Sequence, residues 1–108
     1  MQIKDKLVVV TGAGKGIGRA MAQAFAARGA NLALLDMNES DLEQTRSLCT
    51  TAGVKATNYR CNVASETEVV DTFDRVAQDY GRLDVVINNA GIIRDSLDRK
   101  STRLNSSH

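Results

Sequence analysis

The sequence predicts an α/β fold, a three-layer doubly wound parallel sheet of which this chain holds the N-terminal half. Two observations carry the prediction. Apolar segments typical of strands alternate with amphipathic helical segments, and the first strand runs into a glycine-rich loop that opens a helix. For the resulting β-α-β-α-β-α-β order we expect strand order 3-2-1-4. Right-handed crossovers then place the first two helices on one face of the sheet and the third on the other.

The strands are expected at 7–11, 31–36, 55–61 and 83–88. The third is the least apolar and is expected at the sheet edge, whereas the fourth is apolar without alternation, which indicates burial on both faces. All strands of this sheet are parallel, but the side on which the chain adds new strands changes after strand three. This change leaves a crevice at the C-terminal ends of strands one and four, where ligands bind in this architecture.

The helices follow from apolar spacing and from their end signals. The first is expected to end at Arg28 before Gly29, the second at Gly53, and the third begins at the capping box Ser65-x-x-Glu68. The side chains expected to face inward are Ile17, Ala20, Met21, Ala24 and Phe25 in the first helix, Leu42, Thr45, Leu48, Cys49 and Ala52 in the second, and Val69, Val70, Phe73, Val76, Ala77 and Tyr80 in the third.

Composition excludes several functions. The 108 residues suffice for one small domain, and 43% hydrophobic and 25% charged residues are ordinary for a globular protein. A net charge of +1 without a basic face argues against a nucleic-acid partner. No apolar run is long enough to cross a membrane and no secretion signal begins the chain, so we expect a cytoplasmic protein. Cys49 and Cys61 lack metal-type spacing and are expected to be reduced thiols, with no metal site.

The glycine-rich segment Thr11–Gly18 is the strongest functional signal. A strand that turns through glycines into a helix N-terminus offers backbone N–H groups and a favourable dipole to a pyrophosphate. Counted from Gly12, the common G-x-G-x-x-G pattern fails because its sixth position is Ile17. The pattern that fits is T-G-x-x-x-G-x-G. The segment therefore predicts a bound dinucleotide, against the alternative of a glycine-rich turn without a ligand.

In this form the loop resembles that of the short-chain dehydrogenase/reductase family, and the Asn-Asn-Ala-Gly segment at 88–91 is a second match. The resemblance covers residues 5–97 and implies a Rossmann-type fold. The cofactor-binding positions that it implies in these two segments are Thr11, Gly12, Lys15, Gly16, Ile17, Gly18, Asn89, Ala90 and Gly91.

Two further positions bear on the adenosine end of the cofactor. Asp36 ends the second strand, where a carboxylate can accept hydrogen bonds from ribose hydroxyls and would repel a 2′-phosphate. Lys15 argues the other way, because NADP-dependent members of the family often carry a base there. We expect NAD, with NADP less favoured. The resemblance also implies adenine contacts from Asn62 and Val63, although similar proteins usually have Asp in place of the asparagine; a turn asparagine is the alternative.

The resemblance implies hydride transfer between a nicotinamide and a carbonyl or alcohol, with a serine and a Tyr-x-x-x-Lys pair as catalytic groups. No catalytic residue is assigned here, since Val63 follows Tyr59 and Asp84 follows Tyr80 at that spacing. The chain is therefore expected to be inactive, the cofactor half of an enzyme that commonly forms a homo-oligomer, often a tetramer. The alternative is a non-catalytic NAD-sensing module.

The substrate is less constrained. Arg94 and Asp95 follow the second motif as in the 3-oxoacyl-carrier-protein reductase branch, which indicates an acyl thioester within a wider class of small carbonyl substrates. A third possibility, a sugar-nucleotide epimerase, requires a Gly-x-x-Gly-x-x-Gly loop that the chain lacks.

Residues 98–108 differ in character from the rest of the chain, because they are polar and lack helical or alternating periodicity. Their sequence matches one translated reading frame of a common sequencing-library adapter. We therefore expect residues 1–97 to be a partial NAD(P)-binding domain and 98–108 to be a non-native tail; the alternative is a disordered polar tail. Resequencing the locus tests this, since a genomic read that continues through the same peptide would contradict the adapter origin.

Overall fold

The computed structural model describes residues 2–89, so Ala90, Gly91 and the segment 98–108 lie outside the described residues. Within that range the predicted alternation is confirmed. The elements are β1 (Leu7–Thr11), α1 (Gly16–Ala27), β2 (Asn31–Asp36), α2 (Glu39–Thr50), β3 (Ala56–Arg60), α3 (Glu66–Tyr80) and β4 (Val85–Asn88).

The sheet has the predicted order β3-β2-β1-β4, with every neighbouring pair parallel. Thr11 lies opposite Leu35 of β2 on one side and opposite Asn88 of β4 on the other. This register aligns the carboxyl ends of the three central strands. The glycine-rich loop, the end of β2 and the end of β4 therefore meet at one edge of the sheet.

The two faces of the sheet carry separate apolar cores, which confirms the three-layer architecture. Successive residues of a strand point to opposite faces. Val8 and Val10 accordingly pack with α1 and α2, whereas Leu7 and Val9 pack with α3. The helical residues that complete the first core are Ala22, Ala26, Leu42 and Cys49, and those that complete the second are Val69, Phe73 and Val76.

The predicted inner face of α1 is wrong by about one residue. The helix buries Gly18, Ala22 and Ala26, residues at four-residue intervals whose small side chains let its backbone lie close to the sheet. Of the side chains expected to face inward, Phe25 packs partly against the core, but Ile17 is 71% exposed. Ala20 and Ala24 are exposed as well, and Met21 is half-buried.

The other two helices keep most of their predicted faces. In α2 the buried residues are Leu42, Thr45 and Cys49, but Leu48 is 43% exposed and Ala52 is exposed, contrary to expectation. In α3 the residues Val69, Phe73 and Val76 are buried as predicted, and so is Thr72; Val70, Ala77 and Tyr80 are half-buried.

The predicted capping box of α3 forms in part. The Ser65 hydroxyl accepts the N–H of Glu68 at 3.3 Å. The Glu68 carboxylate, however, accepts the N–H of Asn62 at 3.1 Å, and the Ser65 N–H donates instead to the Asn62 carbonyl at 2.9 Å. Glu68 therefore closes the turn that links β3 to α3, not the cap itself.

β4 pairs with β1 alone among residues 2–89, and its four residues are only half-buried. Burial on both faces, expected from its apolar run, is thus incomplete within this range. No helix in the described part of the chain is long and apolar enough to span a membrane.

Asp84 anchors the start of β4, and its replacement by asparagine is expected to flatten the loss of stability in acid. Its carboxylate accepts the Leu7 N–H at 2.8 Å and an Arg82 N–H at 2.6 Å. Partial burial raises the pKa of Asp84, but the bonds from Arg82 and Leu7 outweigh it and hold the pKa below its usual value. A lowered pKa in the folded state stabilises the fold above the unfolded-state value and ceases to do so as pH falls through the folded-state value.

Urea unfolding between pH 6 and pH 3 tests this expectation. Asp84→Asn should cost roughly 0.5–1 kcal/mol at pH 6, the range of a partly exposed ion pair, and this difference from the wild type should shrink as pH falls below about 4, towards the lowered folded-state pKa of Asp84. Asp71→Asn, at an exposed position of α3, is the matched control. An unchanged difference between wild type and Asp84→Asn across the pH range would contradict the assignment.

Candidate cofactor site

The loop between β1 and α1 presents backbone N–H groups at the carboxyl edge of the sheet. It turns at Gly12 and Gly16, whose φ angles of 65° and 61° lie in the left-handed region that favours glycine. Lys15 precedes α1 in an extended conformation and its side chain makes no capping bond. The first turn of α1 also contains no acidic residue. An uncapped helix start with no acidic residue in its first turn suits an anion.

Close packing explains the last glycine of the motif. A Cβ atom at Gly18 would lie 2.0 Å from the carbonyl oxygen of Gly12, a distance that no side chain tolerates. The same carbonyl accepts a hydrogen bond from the Asn89 side-chain amide at 3.2 Å. The start of α1, the turn of the loop and the residue after β4 are therefore held against one another.

Thr11 and Asn88 tie the two central strand ends together. The Thr11 hydroxyl is fully buried and donates to the Asn88 side-chain oxygen at 3.2 Å. Thr11 and Asn89 are thus brought to the same place as the glycines, where the two motifs were expected to meet. Ala90 and Gly91, the other predicted positions of the second motif, lie outside the described residues.

Asp36 lies directly beside the loop. One carboxylate oxygen accepts the Gly14 N–H at 2.8 Å, and the other accepts the Met37 N–H at 2.7 Å. A Cβ atom at residue 14 would lie 2.7 Å from the first of these oxygens, so the loop needs glycine at that position. Gly14 was not among the predicted site residues, although its place as the third residue of the glycine pattern was visible.

Two apolar side chains project from this edge of the molecule. Ile17, a predicted site residue, is 71% exposed at the start of α1, and Met37 is 51% exposed next to Asp36. Sequence reasoning missed Met37, for which the signal was an apolar residue directly after the acidic one. Lys15 is exposed in the loop, as a residue that contacts a bound anion would be.

Asn62 and Val63 follow β3 close to Asp36, since the Cys61 N–H donates to the Asp36 carbonyl at 2.9 Å. The Asn62 side-chain oxygen accepts the Ala64 N–H at 3.0 Å, which makes it a turn asparagine. An amide oxygen has a second lone pair, so this bond is compatible with the predicted adenine contact, which stays a prediction. Val63 packs against the core on the α3 side of the sheet.

Two polar side chains, those of Arg19 and Thr45, hydrogen-bond the glycine loop. Thr45 is buried and Arg19 is half-buried. The Thr45 hydroxyl donates to the Ala13 carbonyl at 2.8 Å and accepts from Arg19 Nε at 2.9 Å. Arg19 also donates through Nη2 to the carbonyls of Gly14 and Asp41. Thr45 was predicted only as a core residue, and Arg19 was not singled out.

The two cysteines and Tyr59 are engaged in core packing or in a hydrogen bond. Burial raises the pKa of the thiols of Cys49 and Cys61, which are free and buried. Burial, followed by the hydrogen bond to Asp79, also raises the pKa of Tyr59, whose hydroxyl donates to that carboxylate at 2.6 Å. No group of three metal-ligating side chains occurs among residues 2–89.

Comparison with known proteins identifies the family. The model of the short chain dehydrogenase family matches residues 6–106. The chain belongs to this family. The matched range runs into the segment 98–108, whose proposed adapter origin stays a prediction. Among relatives, the human "15-hydroxyprostaglandin dehydrogenase [NAD(+)]" is 36% identical over 107 residues, which cover 97% of this chain and 40% of that enzyme.

A second relative is the 3-oxoacyl-[acyl-carrier-protein] reductase FabG of Thermotoga maritima, 35% identical over 90% of this chain and 39% of its own length. Among solved structures, NAD⁺-bound xylitol dehydrogenase is 41% identical with a TM-score of 0.75, over 80% of this chain and 33% of that one. A metagenomic short-chain oxidoreductase in complex with NADP is 27% identical with a TM-score of 0.74, over 80% and 39%. The chain thus spans about two fifths of the curated relatives it matches.

Proposed function

We propose that this chain is the cofactor-binding half of an NAD-dependent oxidoreductase that transfers hydride between a nicotinamide and an alcohol or ketone. The observation that carries the proposal is the Asp36 carboxylate, held beside the glycine loop by the Gly14 N–H at 2.8 Å. In this position a carboxylate accepts hydrogen bonds from the adenosine ribose, while the uncapped start of α1 faces the pyrophosphate.

Charge at this edge supports NAD over NADP. Glu39 and Asp41 lie in the first turn of α2, directly after Asp36 and Met37, and add negative charge where a 2′-phosphate would be placed. Lys15 is the opposing basic residue of the loop. Structures of relatives contain NAD in some cases and NADP in others, so family membership alone does not select the cofactor.

Cofactor binding by the wild-type protein tests the proposal. Isothermal titration of the complete parent enzyme with NAD⁺ and with NADP⁺ at matched ionic strength is expected to give a Kd for NAD⁺ lower by about tenfold or more, as for one lost charge-assisted hydrogen bond. Tighter binding of NADP⁺ would contradict the role of Asp36. Binding of neither would contradict the proposed function as a whole.

The residues described here bind and orient the cofactor, and do not act on a substrate proton. Bound NAD would supply the hydride acceptor or donor. The two tyrosines, Tyr59 and Tyr80, have their hydroxyls engaged on the α3 side of the sheet, by Asp79 at 2.6 Å and by the Leu32 carbonyl at 3.1 Å. The proton transfer that accompanies hydride movement is therefore assigned to residues of the parent enzyme beyond this chain.

We expect the isolated 108-residue chain to give little soluble protein and to show no turnover. Among residues 2–89 the outer edge of the apolar strand β4 has no neighbouring strand, and such edges promote aggregation. The measurement is NADH formation or consumption with alcohol and ketone substrates, together with the soluble yield, against the complete parent enzyme as control. A soluble and active preparation of the chain would refute both expectations.

The substrate is proposed at the level of an alcohol and ketone pair. The 3-oxoacyl thioester indicated by Arg94 and Asp95 is supported by the similarity to FabG, but a hydroxyprostaglandin dehydrogenase is as similar. A cytoplasmic location, a homo-oligomeric parent and the lack of a nucleic-acid partner stay predictions.

A further inference from the structure

Two side chains from different helices donate hydrogen bonds to backbone carbonyls of the glycine loop. Thr45 of α2 donates to the Ala13 carbonyl at 2.8 Å, and its oxygen lies 3.2 Å from the Gly14 carbonyl. Arg19 of α1 donates to the Gly14 carbonyl through Nη2. Two consecutive loop carbonyls are therefore turned towards the protein, away from the edge that receives the cofactor.

The Thr45 hydroxyl has both of its hydrogen-bonding functions engaged. It is fully buried, accepts from Arg19 Nε at 2.9 Å and donates to the loop. A helical threonine more often bonds the carbonyl four residues earlier in its own helix, as Thr72 does with Glu68 at 2.7 Å. The contact of Thr45 with a distant loop is thus a tertiary contact, and a valine of the same shape cannot replace it.

Arg19 extends the same network to the region of Asp36. Its Nη2 also donates to the Asp41 carbonyl at 3.2 Å, in the first turn of α2. Its acceptors among residues 2–89 are the Thr45 hydroxyl and the carbonyls of Gly14 and Asp41, all uncharged, so the guanidinium adds positive charge next to the loop. The peptide between Ala13 and Gly14 is the one whose N–H donates to the Asp36 carboxylate, and its carbonyl accepts from Thr45, while Arg19 binds the carbonyl of the peptide that follows Gly14.

We propose that Arg19 and Thr45 act as a clamp that positions the glycine loop relative to Asp36 and thereby sets the preference for NAD over NADP. The proposal rests on the proposed function. In this proposal both act through the loop backbone. Their contribution is to hold the two peptides on either side of Gly14 so that the Asp36 carboxylate faces the ribose while the loop N–H groups face the pyrophosphate.

The test uses Thr45→Val in the complete parent enzyme, with Thr45→Ser as the conservative variant that keeps the hydroxyl. Thr50→Val is the matched control, because Thr50 lies on the same helix and its hydroxyl bonds only the nearby Ser47 carbonyl. For Thr45→Val we expect the Kd for NAD⁺ to rise about tenfold, the effect of one or two buried hydrogen bonds. The Kd for NADP⁺ should rise less, so that the ratio of the two constants falls.

Steady-state kinetics separates positioning from general damage. Thr45→Val should raise the KM for NAD⁺ by a similar factor and leave kcat at saturating NAD⁺ within about twofold. Thr45→Ser should restore most of the lost affinity. Arg19→Lys keeps the charge but cannot reach all three acceptors, and it should reproduce the Thr45→Val behaviour even if the valine variant fails to fold.

The possible results distinguish a failure of the clamp from a failure of the proposed function. A fall in the NAD⁺ to NADP⁺ preference in Thr45→Val or Arg19→Lys, with Thr45→Ser and Thr50→Val close to wild type, supports the clamp. An unchanged preference in correctly folded variants, or an equal loss of both cofactors, overturns it while the wild-type enzyme still binds NAD⁺. A wild-type enzyme that binds neither cofactor overturns the proposed function instead.

Discussion

Gly18→Ala is expected to abolish measurable cofactor binding and to destabilise the fold. The added Cβ would lie 2.0 Å from the Gly12 carbonyl oxygen, which belongs to the backbone and cannot rotate away. The start of α1 must therefore move from the loop, which should cost about 1–3 kcal/mol of unfolding free energy, as in other overpacked sites. Because the proposed pyrophosphate site consists of these same N–H groups, the Kd for NAD⁺ should rise by about a hundredfold or more.

Gly53→Ala is the control for Gly18→Ala. Gly53 has a φ of 87° but open space around its Cβ position, so alanine there incurs only backbone strain, about 1–2 kcal/mol. Urea unfolding and NAD⁺ titration should show both variants destabilised but only Gly18→Ala impaired in binding. Normal NAD⁺ affinity in Gly18→Ala would mean that the loop does not hold the pyrophosphate.

Asp36→Ala is expected to reverse the cofactor preference. Loss of the carboxylate removes ribose hydrogen bonds of about 1.5–3 kcal/mol, which corresponds to a rise in the NAD⁺ Kd of roughly ten- to a hundredfold. It also removes the charge that repels a 2′-phosphate, so the Kd for NADP⁺ should fall, aided by Lys15. Binding constants for both cofactors, measured at the same ionic strength, check the reversal.

Asp36→Asn separates the charge of Asp36 from its structural bonds. The carboxylate also accepts the N–H groups of Gly14 and Met37, and an amide oxygen can keep one of these bonds. The asparagine variant should therefore gain NADP⁺ affinity with a smaller loss of NAD⁺ affinity than the alanine variant. Asp71→Asn, an equal charge change at an exposed position of α3, is the control. An unchanged ratio in both Asp36 variants would show that another residue selects the cofactor.

Much of this fold could be predicted because its signals are local. The β-branched run before Gly12 and the glycines after α2 and α3 mark element boundaries through backbone conformation alone. The strand order 3-2-1-4 expected for this alternation was confirmed, and for that order the handedness of crossovers places α3 on the opposite face from α1 and α2, as observed. The inner face of α1 could not be obtained this way, since hydrophobicity favoured Ile17 and Met21, while close packing on Gly12 required the small face that contains Gly18.

In the cofactor site, too, some features could be predicted from the sequence and others could not. The glycine spacing and the acidic residue at the end of β2 can be read from the sequence. Their positions depend only on a local turn and on the end of a strand. Arg19 and Thr45 have no such signature. The sequence shows Thr45 only as a residue on the inner face of a helix. Its role at the loop arises because α2 packs beside Ala13, 32 residues away along the chain.

The sequence by itself determined the family, the strand order and the presence of a dinucleotide loop, because these depend on turn conformation, periodicity and short-range spacing. Tertiary structure alone decided which face of α1 is buried and that Asp36 is held by the Gly14 N–H. It also decided that Arg19 and Thr45 orient the loop carbonyls. These features arise from contacts between elements distant in sequence, where a fraction of an ångström of packing outweighs the hydrophobicity of individual residues.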